Sequence, residues 1–113
     1  MILLNSPCNP TGQCYSKEEL VELTKVFRKY DITVIADEIY GLLHNKGEQV
    51  CIASVYPEKT IIASGISKAF GAGGWRLGYV AIPPALSEFL HTMDCIASET
   101  FSAVCFQIYL ICY

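Results

Sequence analysis

The chain has 113 residues, 52% of them apolar and 17% charged, with a formal net charge of −3. That length allows one small domain. The apolar content excludes a disordered chain, and the acidic balance argues against a nucleic-acid partner. No apolar run reaches the roughly 18 residues of a membrane-crossing helix, so no membrane partner is expected.

"MILLN" is a short apolar run ended by turn residues, which predicts a buried strand. "SPCNPTGQCY" reads as a loop, with two prolines and a glycine close together. Ser16 opens a helix, with Glu19 completing a capping box and Leu20, Leu23 and Phe27 on one face. That helix is expected to end near Tyr30, with Glu18, Glu19 and Glu22 on a solvated face. "ITVIAD" is apolar on consecutive positions, as in a strand covered on both faces. Residues 41–59 read as loop with one short helical turn.

"TIIASGI" and "LGYVAIP" predict a third and a fourth strand. Pro84 is placed to start a helix through "PALSEFLHTMDCIASET". The last apolar piece, "FSAVCFQIYLICY", reads as helical or mixed. Strands alternating with helices give an α/β fold with helices against a mostly parallel sheet.

Six cysteines, at 8, 14, 51, 95, 105 and 112, form no CxxC, and no histidine pair stands at zinc spacing. No metal site is expected. No basic segment precedes "MILL", so no secretory leader is read. Scattered thiols then favour a reducing compartment, the cytoplasm.

In open α/β sheets, ligands bind beyond the carboxyl ends of the strands. Asn9 follows strand one, Asp37 ends strand two and Lys68 follows strand three, so three strand ends are expected to face one pocket. A half-desolvated lysine near another cation is a nucleophilic amine that forms a Schiff base with an aldehyde. Arg76 carries the planar fork that grips phosphate. Gly71, Gly73 and Gly74 between them let the chain bend closely around a ligand. An aldehyde bearing a phosphate points to pyridoxal 5'-phosphate. Its ring nitrogen needs an acidic partner, for which Asp37 is the candidate. Its phenolic oxygen needs donors, which Asn9 and Tyr40 carry.

Each residue also has a plainer reading. Lys68 is otherwise a surface lysine, Asp37 a turn cap, Tyr40 core packing, Asn9 a turn residue and Arg76 a carboxylate partner. Ser67 stands between a contact and loop geometry, and Trp75 reads as packing rather than a ring stacker.

Three segments carry a family resemblance. "NSPCNPTG" resembles an N-x-P-x-N-P-T-G loop, "ADEIY" a D-E-x-Y segment, and "SKAFGAGGWRLGY" the S-K-x-[FY]-x-x-x-G-x-R-x-G-Y segment around a cofactor lysine. Together, and in order, they resemble the class I/II aminotransferases, fold-type I pyridoxal-phosphate enzymes. The resemblance runs roughly from Ile2 to Val104.

It implies a part of a three-layer α/β/α large domain, with the "GYVAI" strand antiparallel. Lys68 would be the catalytic residue, holding the cofactor and moving the substrate proton. Asp37 would pair with the ring nitrogen, Asn9 and Tyr40 would bond the phenolic oxygen, and Arg76, with Ser67, would bind phosphate. Substrates would be an amino acid and a 2-oxo acid, and the full-length protein a homodimer. Lyase chemistry on the same scaffold and a catalytically inactive remnant are the alternatives.

Two departures stand out. Many members carry a phosphate-binding serine three residues before the lysine, where this chain has Gly65. Members continue past the position of Val104 with proline-glutamine, where this chain has Phe106-Gln107. The family's N-terminal part and its C-terminal small domain would lie outside these residues. A four-stranded piece with both outer edges lacking their neighbours is therefore expected.

Overall fold

A computed structural model describes residues 1–44, 49–88 and 106–111. Five strands form one sheet in chain order: β1 Ile2–Asn5, β2 Val34–Asp37, β3 Thr60–Gly65, β4 Leu77–Ile82 and β5 Phe106–Ile111. β1, β2 and β3 run parallel, β4 runs antiparallel to β3, and β5 runs parallel to β4. The α/β class and the reversed fourth strand stand as expected from the sequence.

Helix α1, Lys17–Lys29, starts as its residues dictate. Ser16 accepts the Glu19 N–H at 3.2 Å, and Glu19 accepts the Ser16 N–H at 2.8 Å. Glu18 and Glu19 lie in the first turn and Arg28 and Lys29 in the last, each complementing the helix dipole. The helix buries Leu20 and Phe27 against Leu4, Val34, Ala36, Ile52 and Tyr56. Each such side chain contributes roughly 1.5–3 kcal/mol by leaving water.

Strand alternation sends Ile35 to the opposite face, where Ile61, Ile82 and Leu86 form a second cluster with Val80. In register, Ile35 pairs with Ile61. Tyr56 closes the first cluster at 1% exposure, its hydroxyl donating to the Ile32 carbonyl at 2.9 Å. Arg28 ties α1 to the approach to β3. It bonds Glu58 at 2.8 Å and the Val55 carbonyl at 2.7 Å, and lies 5.0 Å from the Tyr56 ring centroid.

Three expectations change. The described residues of 41–59 hold three short 3-10 turns rather than one, at Gly41–Leu43, Ile52–Ser54 and Pro57–Lys59. Pro84 opens a 3-10 turn, Pro84–Leu86, and most of the helix expected after it lies outside the described residues. Residues 106–111, read as helical or mixed, form β5. A six-residue apolar run rich in aromatic and β-branched types fits a strand as well as a helix, and pairing with β4 decides it. The outer edge of β4 is therefore covered, and the sheet has five strands instead of four.

Candidate functional site

The topology gathers the polar residues at one rim. Asn5 and Asp37 pair in register at the ends of β1 and β2, with Ala63 beside Asp37 on β3. Because β4 is antiparallel, its first residues lie at that same rim, where Gly65 pairs with Gly78. Lys68 leaves β3 and Arg76 enters β4, so both cations sit there.

Asn9 follows β1 on a loop folded back on itself. The Cys8 N–H donates to the Gln13 carbonyl at 2.9 Å, and the Gly12 N–H to the Cys8 carbonyl at 2.6 Å. Gly12 turns the loop at φ +69°, a conformation that favours glycine. The Asn9 amide Nδ2 donates to the Tyr40 hydroxyl at 3.2 Å. The Lys68 Nζ lies 5.7 Å from the centroid of the Tyr40 ring. One residue from each of the three motif segments thus meets the next. Asn9 and Tyr40 line a cleft of about 590 Å³.

Asp37 sits beside this group. Its Oδ1 accepts the Ile39 N–H at 3.2 Å, which turns the chain toward Tyr40. The turn-cap reading therefore holds in the fold, and the carboxylate keeps further acceptor capacity. Ser67 and Arg76 line a separate cavity of about 300 Å³ with Ile39, Gly65 and Tyr79. Arg76 adopts φ +53°, and its guanidinium reaches the Gly73 carbonyl at 3.5 Å.

Gly65 explains the missing hydroxyl in physical terms. A Cβ there would stand 2.9 Å from the Leu77 carbonyl oxygen and 3.3 Å from the Gly78 Cα. β3 and β4 approach too closely for a side chain. Ser64 is turned elsewhere, its hydroxyl donating to the Glu38 carbonyl at 3.3 Å.

Two expectations about environment change. Lys68 is exposed rather than half-desolvated. Trp75, read as packing, is 74% exposed, and Phe70 is 71% exposed. In the 66–76 loop Lys68, Phe70, Trp75 and Arg76 are all exposed.

Two features escaped the sequence. Glu38 is half-buried, and burial raises its carboxyl above the usual range against the opposing effect of a hydrogen bond from Cys51. Burial, together with the Glu38 carboxyl, pushes the Cys51 thiol up to about 12. Asn5 links two of the site segments through its side chain. Its place as the first residue of the asparagine motif was the available signal.

A lysine, a carboxylate, a guanidinium and amide and hydroxyl groups thus lie along one rim of the sheet, the guanidinium in a cavity apart from the Asn9–Tyr40 cleft. The chain belongs to the aminotransferase class I and II family, whose profile matches residues 1–110. It is 48% identical over 89 residues to YugH of Bacillus subtilis, whose own aminotransferase assignment is provisional; the match covers 77% of this chain and 23% of that one. It is 40% identical over 106 residues to the asparagine–oxo-acid transaminase of Streptococcus mutans, covering 90% and 26%. Aspartate aminotransferase from Thermus thermophilus, solved with maleate, superposes with a TM-score of 0.77 at 38% identity, over 87% of this chain and 25% of that one. The chain spans about a quarter of each relative's length.

Proposed function

We propose that these residues are the central part of an aminotransferase large domain and hold pyridoxal 5'-phosphate at the rim of the sheet. The observation that carries the reading is the contact chain from Asn9 through Tyr40 to Lys68, one residue from each motif segment. The donor set fits the cofactor group by group. The Lys68 amine would meet the aldehyde, the Asp37 carboxylate the ring nitrogen, and Asn9 and Tyr40 the phenolic oxygen. With no room for a side chain at Gly65, phosphate binding falls to Arg76 and Ser67, which share a cavity. When bound, the cofactor supplies an electron sink that makes a substrate α-proton removable. Lys68 then holds and returns that proton.

The proposed reaction of the full-length protein is transfer of an amino group from an amino acid to a 2-oxo acid. The N-terminal part and small domain complete the site there, in a homodimer. Support comes from the family and from the span of about a quarter of its relatives. The exposed Phe70 and Trp75 beside the lysine call for covering surface that the described residues do not supply. On this reading the 113 residues bind cofactor without turnover. Free thiols at Cys8, Cys14 and Cys51 support a cytoplasmic setting, and among the described residues no helix is long and apolar enough to cross a membrane.

The test is borohydride reduction after addition of pyridoxal phosphate, with the modified lysine mapped by mass spectrometry. Selective modification of Lys68, lost in Lys68→Ala, is expected. Labelling scattered over Lys17, Lys25, Lys29, Lys46 and Lys59 would overturn the proposal.

A further inference from the structure

We infer that Asn5 is a positioning residue that fixes Asn9 against the end of β2, an inference that rests on the cofactor reading above. Asn5 is the last residue of β1 and pairs in register with Asp37. Its Nδ2 donates to the Asp37 carbonyl at 3.3 Å, and its Oδ1 accepts the Asn9 N–H at 3.1 Å. One planar amide thus uses a donor and an acceptor at once, which neither an ionised carboxylate nor an aliphatic side chain does. The contact closes a circuit. From Asp37 it runs through Asn5 to Asn9, from Asn9 to the Tyr40 hydroxyl, and back along the chain through the Ile39 N–H to the Asp37 carboxylate.

The brace adds to the loop's own hydrogen bonds, which tie Cys8 to Gln13 and Gly12, by holding the backbone N–H of Asn9 itself. Asn9, Pro10 and Thr11 are exposed, so packing contributes little to their position. Asn5 is half-buried at a strand end and already ordered by the sheet. Anchoring the Asn9 backbone there orders the loop before ligand arrives, and the ordering entropy is not lost again on binding. Asn5 touches neither the Lys68 amine nor the proposed phosphate residues. It acts through Asn9.

The test uses the whole chain with two readouts. Amide hydrogen exchange at Asn9, measured by NMR without cofactor, reads the brace directly. The dissociation constant for pyridoxal phosphate, from borohydride-fixed Lys68 against cofactor concentration, reads its effect on the site. Asn5→Ala is expected to speed Asn9 exchange and to weaken cofactor binding, each by about tenfold, the scale of one or two net hydrogen bonds. The double variant Asn5→Ala/Asn9→Ala is expected to bind no more weakly than Asn9→Ala, since the brace acts through that side chain.

Asn5→Asp keeps the acceptor for Asn9 and removes the donor to Asp37. Its Asn9 amide is expected to stay protected, which preserves the test if the alanine variant fails to fold. Fast Asn9 exchange in Asn5→Asp, unchanged exchange or affinity in Asn5→Ala, or losses that add in the double variant would each overturn the role while leaving the cofactor reading in place. Absence of selective Lys68 labelling in the unsubstituted chain would overturn both.

Discussion

Gly65→Ala tests the tightest point of the site. The added Cβ meets the Leu77 carbonyl oxygen at 2.9 Å and the Gly78 Cα at 3.3 Å. Both are backbone atoms of the antiparallel partner, so neither can swing aside as a side chain would. β4 has to move by several tenths of an ångström, at an expected cost of about 1–3 kcal/mol. Replacing glycine returns about 0.5–1 kcal/mol through reduced unfolded-chain entropy, leaving a net loss of up to about 2.5 kcal/mol. At about 4–8 °C per kcal/mol for a small domain, Tm should fall by up to roughly 20 °C. Two controls grade the effect. At Gly78 a Cβ would meet the Ser64 carbonyl at 3.3 Å, and at Gly73 nothing lies within 4 Å. Thermal unfolding followed by circular dichroism should therefore rank the alanine variants Gly65, Gly78 and Gly73 from largest loss to least. Gly65→Ser should behave as Gly65→Ala does, so restoring the hydroxyl common in the family would disturb the sheet. A Gly65→Ala chain with the Tm of the Gly73→Ala chain would refute the close-approach account.

Tyr56→Phe leaves the Ile32 carbonyl without its 2.9 Å partner and should lower stability by about 1–2 kcal/mol in urea titration; an unchanged midpoint would contradict the role given to that hydroxyl. Glu38→Gln should raise Tm at pH 8. Burial raises the folded-state pKa of Glu38, so its stabilising effect is fully present below its ordinary 4.5 and lost as pH rises through the raised value. The advantage of Gln should therefore vanish in acid, and a constant difference across pH would rule out titration of Glu38 as the cause. At Glu58 partial burial pushes the carboxyl up, but the Arg28 hydrogen bond outweighs it and holds the pKa below 4.5. That contribution is present above the ordinary value and lost as pH falls through the lowered one. Glu58→Gln should cost no more than about 1 kcal/mol at pH 7, whereas Arg28→Ala should cost more, because it also releases the Val55 carbonyl and the Tyr56 ring.

Local signals were legible wherever the cause was local. Ser16 and Glu19 announce α1 within four residues, and the bond pattern realises that box in full. The β-branched run before Asp37 marks β2 for the same reason. Features that depend on register were not legible. The amide of Asn5 reaches Asp37 across 32 residues of sequence, and only strand pairing brings them together. Residues 106–111 carry no periodicity that separates helix from strand, so the exposed edge of β4 decides their form. The exposure of Lys68 was not legible either, because desolvation depends on what lies over a loop and not on the loop itself. The Glu38–Cys51 pair joins a strand end to a distant turn, and a glutamate does not announce burial by its type.

The reversal of β4 also bears on the order in which the rim assembles. Lys68 and Arg76 are delivered by one short connection between Gly65 and Gly78, which pair directly. Asn9 and Tyr40 meet only after a span of 31 residues has closed. Loop-closure entropy makes the longer span costlier by about 1 kcal/mol. The cationic half of the rim is therefore a local hairpin that can form early in folding. The asparagine half is instead a nonlocal contact that needs β1 and β2 to have met.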